Sequence, residues 1–236
     1  MPFLYLFLFY QYIVYLSFDM NKARVLLAED HVLVSEGLTK LLETDFTLVG
    51  TVVDGHALVQ AVKKHTPDIA IIDISLPLLN GLEAARQIKK CEPQTKIIFL
   101  TMHSEEHFVH EAFKAGGVGY ILKQSATAEL VFAIKEVYQG RTYVSPSIAQ
   151  GLVSQALNPS SNLKKTSETE TPALTQRQVE ILQLVAEGKS NKEIAVILNL
   201  AVKTVEFHKT RVMQVLGLKT ASELTKYAIA NGIISI

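Results

Sequence analysis

The stretch Asp68-Ile69-Ala70-Ile71-Ile72-Asp73 decides how this chain of 236 residues is folded. An unbroken apolar run of this length is typical of a parallel strand that is buried on both faces of its sheet. Asp73 follows the run directly, so the pattern places it at the carboxyl end of the strand. Ligands bind at that end in open α/β sheets. The stretch therefore predicts an α/β domain with Asp73 at its binding edge.

Polar residues end three further apolar runs in the same way. The acidic pair Glu29-Asp30 follows the first run, Thr101 follows the second and Lys123 follows the third. Because the carboxyl ends of parallel strands share one edge, these side chains are predicted to gather around Asp73. Three carboxylates beside a hydroxyl and an ammonium group suit a hard divalent cation and a phosphoryl group.

Strands and helices alternate regularly from Lys22 to about Gln139. The pattern predicts strands over 24–28, 47–53, 69–73, 97–100 and 119–122. Each is followed by a predicted helix, over 32–42, 57–65, 81–90, 105–115 and 128–139. Five such units with short loops predict a doubly wound five-stranded parallel sheet with right-handed crossovers.

The chain changes character after about residue 140. A short amphipathic helix is predicted over 146–156. The segment 158–172 is rich in Ser and Thr and almost free of apolar residues, so it is interpreted as a flexible linker. Four helices are predicted beyond it, over 176–187, 191–198, 202–216 and 221–231. Three capping boxes mark their starts, Thr175-x-x-Gln178, Ser190-x-x-Glu193 and Thr220-x-x-Glu223. The tight connection 199–201 makes the middle pair a helix-turn-helix.

Composition narrows the class of protein. Net charge is zero, but residues 1–158 carry 13 basic against 16 acidic residues and residues 159–236 carry 10 against 7. This asymmetry favours a nucleic-acid partner for the C-terminal part. The single cysteine, Cys91, excludes an internal disulfide and a cysteine-based zinc cluster, and fits a reducing cytoplasm.

The apolar stretch Met1–Phe18 fits neither half of the chain. It contains no Lys or Arg, shows no A-x-A cleavage site and is shorter than the about 20 residues of a transmembrane helix. Met20 stands just before the first strand. We interpret residues 1–19 as an over-extended start of translation, and a cytoplasmic protein is expected. A membrane tether through residues 1–18 is the alternative.

The ordered set of strand-end residues resembles the receiver domain of bacterial two-component response regulators over about residues 22–140. The matching features are Glu29-Asp30, Asp73, Pro77, Asn80-Gly81, Thr101, Tyr120 and Lys123. The resemblance implies flavodoxin-like strand order and a phosphoryl group accepted on Asp73 from the histidine of a sensor kinase. It also implies Mg²⁺ held by Glu29, Asp30, Asp73 and the backbone carbonyl of Ser75.

The same resemblance assigns roles to the other polar residues. Lys123 pairs with Asp73 and then with a phosphate oxygen, and the Thr101 hydroxyl donates to another. Thr101 and Tyr120 together form the switch, in which the aromatic ring swings inward after phosphorylation. His31 and His103 flank the site and are interpreted as loop residues rather than ligands.

Residues 174–234 resemble the LuxR-type helix-turn-helix of the NarL/FixJ class of response regulators. The motifs are Leu174–Gln178, Gly188–Ala195, Val202–His208 and Leu216–Leu218. Helical geometry buries the stripe Val205, Val212 and Leu216 and turns the opposite face toward DNA. The residues predicted to meet bases are Lys203, Glu206, Phe207, Thr210 and Gln214. Those predicted to hold phosphates are Lys209, Arg211, Thr204 and Lys189. For Glu206, a helix-surface pair with Lys209 is the alternative.

The assembled prediction is a phosphorylation-dependent transcriptional regulator with a receiver over 22–140, a helix and linker over 141–172 and a DNA-binding domain over 173–236. Its expected partners are a sensor histidine kinase, promoter DNA and a second copy of itself, with RNA polymerase as a further candidate. No small-molecule substrate and no enzymatic activity are expected. One rival is a phosphorylation-independent regulator with a pseudo-receiver. Another is a phosphohydrolase, which needs an acid where Ser75 stands.

Overall fold

The computed structural model describes residues 22–157 and 174–234. The predictions for residues 1–19 and for the linker 158–172 lie outside these ranges. Within them, no helix combines the length and the apolar character that crossing a membrane requires.

The N-terminal part is an α/β domain built on a parallel sheet. Its strands are β1 (Arg24–Ala28), β2 (Thr47–Val52), β3 (Ile69–Asp73), β4 (Lys96–Thr101) and β5 (Gly119–Leu122). The helices between and after them are α1 (Val32–Asp45), α2 (Gly55–His65), α3 (Gly81–Cys91), α4 (Glu106–Lys114) and α5 (Ala126–Tyr138). The strand order β2-β1-β3-β4-β5 confirms the predicted flavodoxin-like arrangement.

The predicted number of five strands is wrong, because a sixth strand extends the sheet beyond β5. Strand β6 (Tyr143–Val144) pairs parallel to β5, with Tyr143 opposite Gly119 and Val144 opposite Tyr120. Two residues are too few to show any periodicity in the sequence. The Ser145 hydroxyl accepts a hydrogen bond from the Leu122 amide at 3.2 Å, which fixes the new edge. Helix α6 (Pro146–Leu157) follows.

Two apolar clusters cover the two faces of the sheet. Helices α2, α3 and α4 pack on one face, and α1 and α5 pack on the other. Every residue of β3 and of β5 is buried, and hydrophobic residues dominate both strands apart from Asp73 at the end of β3. The doubly wound architecture leaves only the strand ends for chemistry.

The C-terminal part is all-helical. It consists of α7 (Gln176–Ala186), α8 (Asn191–Ile197), α9 (Val202–Leu216) and α10 (Ala221–Ala230). All three predicted capping boxes are formed, at the starts of α7, α8 and α10. Gly217 ends α9 in the left-handed conformation, with φ of 66°, which only glycine adopts without strain. A separate apolar core joins the four helices.

Candidate functional site

The ends of three strands bring Asp73, Glu29 and Lys123 into contact. Asp73 and Glu29 are 1% and 0% exposed. The Lys123 Nζ atom donates to Asp73 Oδ2 at 2.8 Å and to Glu29 Oε1 at 2.9 Å. Lys123 begins a 3₁₀ turn just after β5, which lets its side chain reach back across the strand ends. One ammonium group therefore bridges two buried carboxylates.

Asp30 and His31 complete the acidic edge. The His31 Nδ1 atom lies 3.0 Å from Glu29 Oε1 and 3.0 Å from Asp30 Oδ1. Ligand atoms of Glu29, Asp30, His31 and Asp73 all lie within 4.8 Å of one another. The sequence pattern indicates only that His31 flanks the site, whereas in the structure its ring lies against the carboxylates.

Burial and charge pairing together shift the pKa values of Asp73 and Lys123. Burial raises the pKa of Asp73, Lys123 acts in the opposite direction, and the neighbouring Glu29 raises the pKa further. Burial on its own would lower the pKa of Lys123, but its contacts with Asp73 and Glu29 outweigh that and hold the pKa above its usual value. Crowded carboxylates with one ammonium group are short of positive charge, so the site favours a cation.

The donor set fits Mg²⁺. Glu29 Oε2 is buried and has no hydrogen-bond partner within the described ranges, which leaves it free to act as a ligand. Oxygen ligands from one or two carboxylates, completed by water and phosphate, are what Mg²⁺ prefers. Ser75 is half-buried at the same edge, and its amide donates to Asp73 Oδ1 at 3.1 Å.

Thr101 and Tyr120 are joined through His103. Both side chains are fully buried, so the Tyr120 ring lies inward in this structure. The Tyr120 hydroxyl donates to the His103 carbonyl at 2.9 Å, and the His103 amide donates to Thr101 Oγ1 at 3.1 Å. Burial raises the pKa of the Tyr120 hydroxyl. The two predicted switch residues thus share one backbone link.

Helix α9 presents the predicted DNA-reading face to solvent. Val205 and Val212 are buried, and Leu216 is half-buried at the helix end. The residues exposed on the opposite side are Lys203, Glu206, Phe207, Thr210, Arg211 and Gln214. Thr204 and Lys209 are half-buried on α9, and Lys189 is half-buried before α8. The structure therefore places the predicted base-contacting side chains on one accessible face.

Helix α9 begins without a side-chain cap. Ala201 holds the N-cap position with φ of −73° and ψ of 144°, and it offers no oxygen to the first turn. We expect Ala201→Ser to raise the free energy of unfolding of the C-terminal domain by about 1 kcal/mol, because its hydroxyl would accept from a first-turn amide. Thermal unfolding of the full chain would show this. Ala230→Ser, at the exposed end of α10, is the control, and equal effects of the two changes would contradict the capping argument.

A polar stripe along α7 and its C-cap residue contacts the α/β domain, and the sequence pattern does not predict this contact. Gln176, Glu180, Gln183 and Glu187 recur at helical spacing, and all four bond to the α/β domain. Polar residues on a helix face usually indicate solvent, which hid this contact. The stripe was visible in the sequence, but its partners lie about a hundred positions away.

Two family models match the chain. Residues 25–135 match the response regulator receiver domain, and residues 172–228 match the bacterial regulatory proteins of the luxR family. The oxygen regulatory protein NreC of Staphylococcus epidermidis is 40% identical over 210 residues, which cover 87% of this chain and 96% of that protein. This chain belongs to the response regulators with a LuxR-type DNA-binding domain. NreC of Staphylococcus carnosus is similarly related, at 38% identity over 209 residues.

Solved structures agree with this assignment. A LuxR-family response regulator from Aurantimonas sp. matches with a TM-score of 0.56 and 36% identity, covering 58% of this chain and 99% of that one. RcsB of Salmonella typhimurium matches with a TM-score of 0.54 and 28% identity, covering 89% and 100%. An RcsB–DNA complex matches with a TM-score of 0.53 and 27% identity, covering 88% and 98%.

The response regulator is thus a phosphorylation-dependent, DNA-binding transcription regulator. Its receiver implies a histidine kinase as phosphodonor, and the DNA-bound relatives support promoter DNA and dimerisation. Receiver domains generally bind Mg²⁺ through acidic residues, and this one has such a cluster.

Proposed function

We propose that Asp73 is the phosphoryl acceptor of this regulator and that Lys123 and Thr101 complete the reacting site. The observation that carries the proposal is the buried Asp73 carboxylate held by Lys123 Nζ at 2.8 Å. An ammonium group at that distance keeps one carboxylate oxygen oriented and neutralises charge as the phosphoryl group arrives. The phosphorus–nitrogen bond of the kinase phosphohistidine breaks as the bond to Asp73 forms.

Glu29, Asp30, Asp73 and the Ser75 carbonyl are the proposed Mg²⁺ ligands. When bound, the ion supplies positive charge to the phosphoryl oxygens during transfer. Lys123 is positioned to exchange its contact with Asp73 for a contact with a phosphoryl oxygen. Thr101 Oγ1, which accepts from the His103 amide, is positioned to turn its proton toward another.

The signal leaves the site through Thr101 and Tyr120 in this proposal. A phosphoryl group adds a charge of about −1.5 to −2 and three acceptor oxygens. Any movement of Thr101 toward those oxygens pulls on the His103 amide, and His103 in turn accepts from Tyr120. The bond network supports a coupled response of both residues.

We further propose how the output domain works. Lys203, Glu206, Phe207, Thr210 and Gln214 read bases in the major groove, while Thr204, Lys209, Arg211 and Lys189 hold phosphates. The receiver of residues 22–140 and the DNA-binding domain of residues 173–236 are joined through residues 141–172. The site of action is the cytoplasm, and RNA polymerase is a partner at the promoter.

Two rival functions have less support. A pseudo-receiver has no need of the buried Asp73–Lys123 pair. A phosphohydrolase needs an acid/base residue two positions beyond its nucleophile, where Ser75 offers only a hydroxyl.

The test is the intact mass of the full chain after incubation with acetyl phosphate, with MgCl₂ or with EDTA. We expect a single phosphoryl adduct of about 80 Da that forms with Mg²⁺ and falls by at least about a hundred-fold with EDTA. Duplex binding of the same samples is followed by electrophoretic mobility. An adduct that forms equally in EDTA would contradict the assigned metal ligands, and no adduct in Mg²⁺ would favour the pseudo-receiver.

A further inference from the structure

His31 stands at a position where a side chain ordinarily caps a helix. It holds the N-cap position of α1, with φ of −79° and ψ of 107°, but its side chain makes no bond to the first turn. Ser, Thr, Asp and Asn are the residues that favour this position. The ring is instead turned toward Glu29 and Asp30, and its Nδ1 atom lies 3.0 Å from an oxygen of each. Capping therefore does not explain the orientation of the imidazole ring.

The short distance between His31 and Asp30 is not a hydrogen bond. The Nδ1 atom of His31 bonds to Glu29 Oε1 at 3.0 Å. Asp30 Oδ1 lies just as close to the same nitrogen, yet it is buried and has no hydrogen-bond partner among the described residues. A ring nitrogen carries at most one proton, and a proton shared with Glu29 leaves the close approach of Asp30 unexplained. A cation bound by all three residues accounts for both distances.

The two distances match those between neighbouring ligands of an octahedral ion. Bonds of about 2.1 Å at right angles place two ligand atoms about 3.0 Å apart. Tetrahedral Zn²⁺ with bonds of similar length would place them about 3.4 Å apart. Ligand atoms of Glu29, Asp30, His31 and Asp73 all lie within 4.8 Å of one another. Because opposite ligands of an octahedral ion are about 4.2 Å apart, all four residues can belong to one coordination sphere.

Glu29 gives an independent indication of a ligand at the same place. Its side chain is fully buried, and its Oε2 atom has no hydrogen-bond partner in the part of the chain that the structure describes. Its other oxygen, Oε1, accepts from Lys123 Nζ and from the His31 amide. An unpaired carboxylate oxygen is costly to bury, and a bound cation offsets that cost. Lys123 does not fill this role, since its ammonium group is bonded to Oε1 and to Asp73.

The donor set bears on which ion the site prefers. The four side chains and the proposed Ser75 carbonyl make five protein donors, which leaves one octahedral position for a phosphoryl oxygen. Mg²⁺ usually keeps several waters and is seldom enclosed by protein ligands in this way. It also prefers oxygen, whereas imidazole nitrogen binds first-row transition ions, with affinity rising from Mn²⁺ to Ni²⁺. A nitrogen ligand among the carboxylates therefore favours a transition ion over Mg²⁺.

We propose that His31 is a nitrogen ligand of the receiver's cation and that the site thereby selects an octahedral first-row transition ion over Mg²⁺. The ring binds the ion through Nδ1, which leaves Nε2 to carry the proton of the neutral imidazole. The inference rests on the proposed function, because Glu29, Asp30 and Asp73 must first hold a cation. It adds a ligand that the sequence pattern assigns only to the loop.

The test measures metal binding by the untagged full chain. Calorimetry at one pH and one salt concentration gives the affinities for Mg²⁺, Mn²⁺ and Ni²⁺ of the parent, His31→Gln and Asp30→Asn. His110→Gln, which changes an exposed histidine on α4, is the matched control. Electron spin-echo envelope modulation of the Mn²⁺-loaded chains detects nitrogen bound to the ion, and a parent sample with ¹⁵N-labelled histidine identifies its source. Circular dichroism establishes that each variant is folded.

We expect coupling of Mn²⁺ to one histidine nitrogen in the parent and in His110→Gln, and its loss in His31→Gln. His31→Gln should lower the affinity for Mn²⁺ by at least about ten-fold, the lower end of what perturbing a metal site costs. The affinity for Ni²⁺ should fall further and that for Mg²⁺ less, because the preference for nitrogen increases in that order. Asp30→Asn should weaken the binding of all three ions, since it removes an oxygen ligand that they share.

Three results would overturn the His31 ligand. They are the absence of nitrogen coupling in the Mn²⁺-loaded parent, equal losses for the three ions in His31→Gln, and tighter binding in His31→Gln, which would show that the ring competes with the ion. The phosphoryl adduct formed with Mg²⁺ is measured on the same samples. An adduct without nitrogen coupling would reject His31 and leave the proposed function standing. Unchanged affinities in Asp30→Asn would instead reject the metal ligands of the proposed function.

Discussion

Asp73→Asn is expected to lower formation of the phosphoryl adduct by at least about a thousand-fold, because it removes the attacking carboxylate while keeping the shape of the side chain. Asp73 is buried at the end of β3 with Lys123 at 2.8 Å. Within residues 22–157 and 174–234, Glu29 is the other carboxylate that Lys123 contacts, and Glu29 shares that contact with the His31 ring. Intact mass after acetyl phosphate and MgCl₂ treatment measures the loss.

The same substitution should leave the fold at least as stable as before. Burial raises the pKa of Asp73, with Lys123 opposing it, so the carboxyl binds its proton more tightly in the folded chain than in the unfolded chain. Ionisation near pH 7 therefore disfavours folding, and stability from this group is lost as the pH rises through the raised pKa. Without Mg²⁺, the free energy of unfolding of Asp73→Asn should equal or exceed that of the parent. The difference should shrink on acidification, as the parent carboxyl is protonated.

Asp45→Asn is the matched control for both measurements. Asp45 lies at the end of α1, where it pairs with Lys135 and is not part of the acidic edge. Because Asp45 takes no part in phosphorylation, the Asp45→Asn variant should form the adduct at the parental rate. An adduct that persists in Asp73→Asn would reject Asp73 as the acceptor. A marked loss of stability in the same variant would show that the Lys123 contact outweighs the cost of burying the charge.

Strand ends and helix starts explain why so much of the site could be predicted. Asp73, Glu29 and Lys123 each stand at the end of an apolar run that the sequence predicts to be a buried strand, and the parallel sheet brings those strand ends together. The starts of α7, α8 and α10 are equally explicit, because each capping box satisfies its own backbone amides within four residues. Local chemistry of this kind needs no information from the rest of the chain.

Features that depend on distant partners were not predictable. Strand β6 is two residues long and exists because the edge of β5 offers hydrogen bonds, so no pattern in residues 143–144 could reveal it. The left-handed Leu78 depends on Glu187, which lies 109 positions away. Gln183 is buried with its amide fully used, yet a glutamine in an amphipathic helix ordinarily faces solvent. The conformation of Leu78 and the burial of Gln183 depend on contacts between the two domains, which the periodicity of the sequence does not record.

Phe207→Ala is expected to weaken binding to a specific duplex by about ten-fold or more while non-specific binding stays unchanged. Phe207 is 66% exposed on α9, and its ring lies edge-on to the ring of the neighbouring His208 at a centroid distance of 5.5 Å. An apolar group on a recognition helix can contact a thymine methyl in the major groove, and losing a base contact costs about 1–3 kcal/mol. The specific duplex is the one selected from a random pool by the phosphorylated parent. Fluorescence anisotropy at one stated salt concentration gives both affinities.

Phe132→Ala is the matched control, because this residue is also an exposed phenylalanine, at 58%, but lies on α5 of the receiver. Equal losses from the two substitutions would mean that the effect of Phe207 is not a base contact.

Arg211→Ala on the same face of α9 should behave differently from Phe207→Ala. A phosphate contact carries no sequence information, so its loss should weaken specific and non-specific binding alike and reduce the salt slope by about 1. A change of specificity in Arg211→Ala would instead indicate that Arg211 contacts a base. Helix α9 would then lie in the groove at a different rotation from the one proposed.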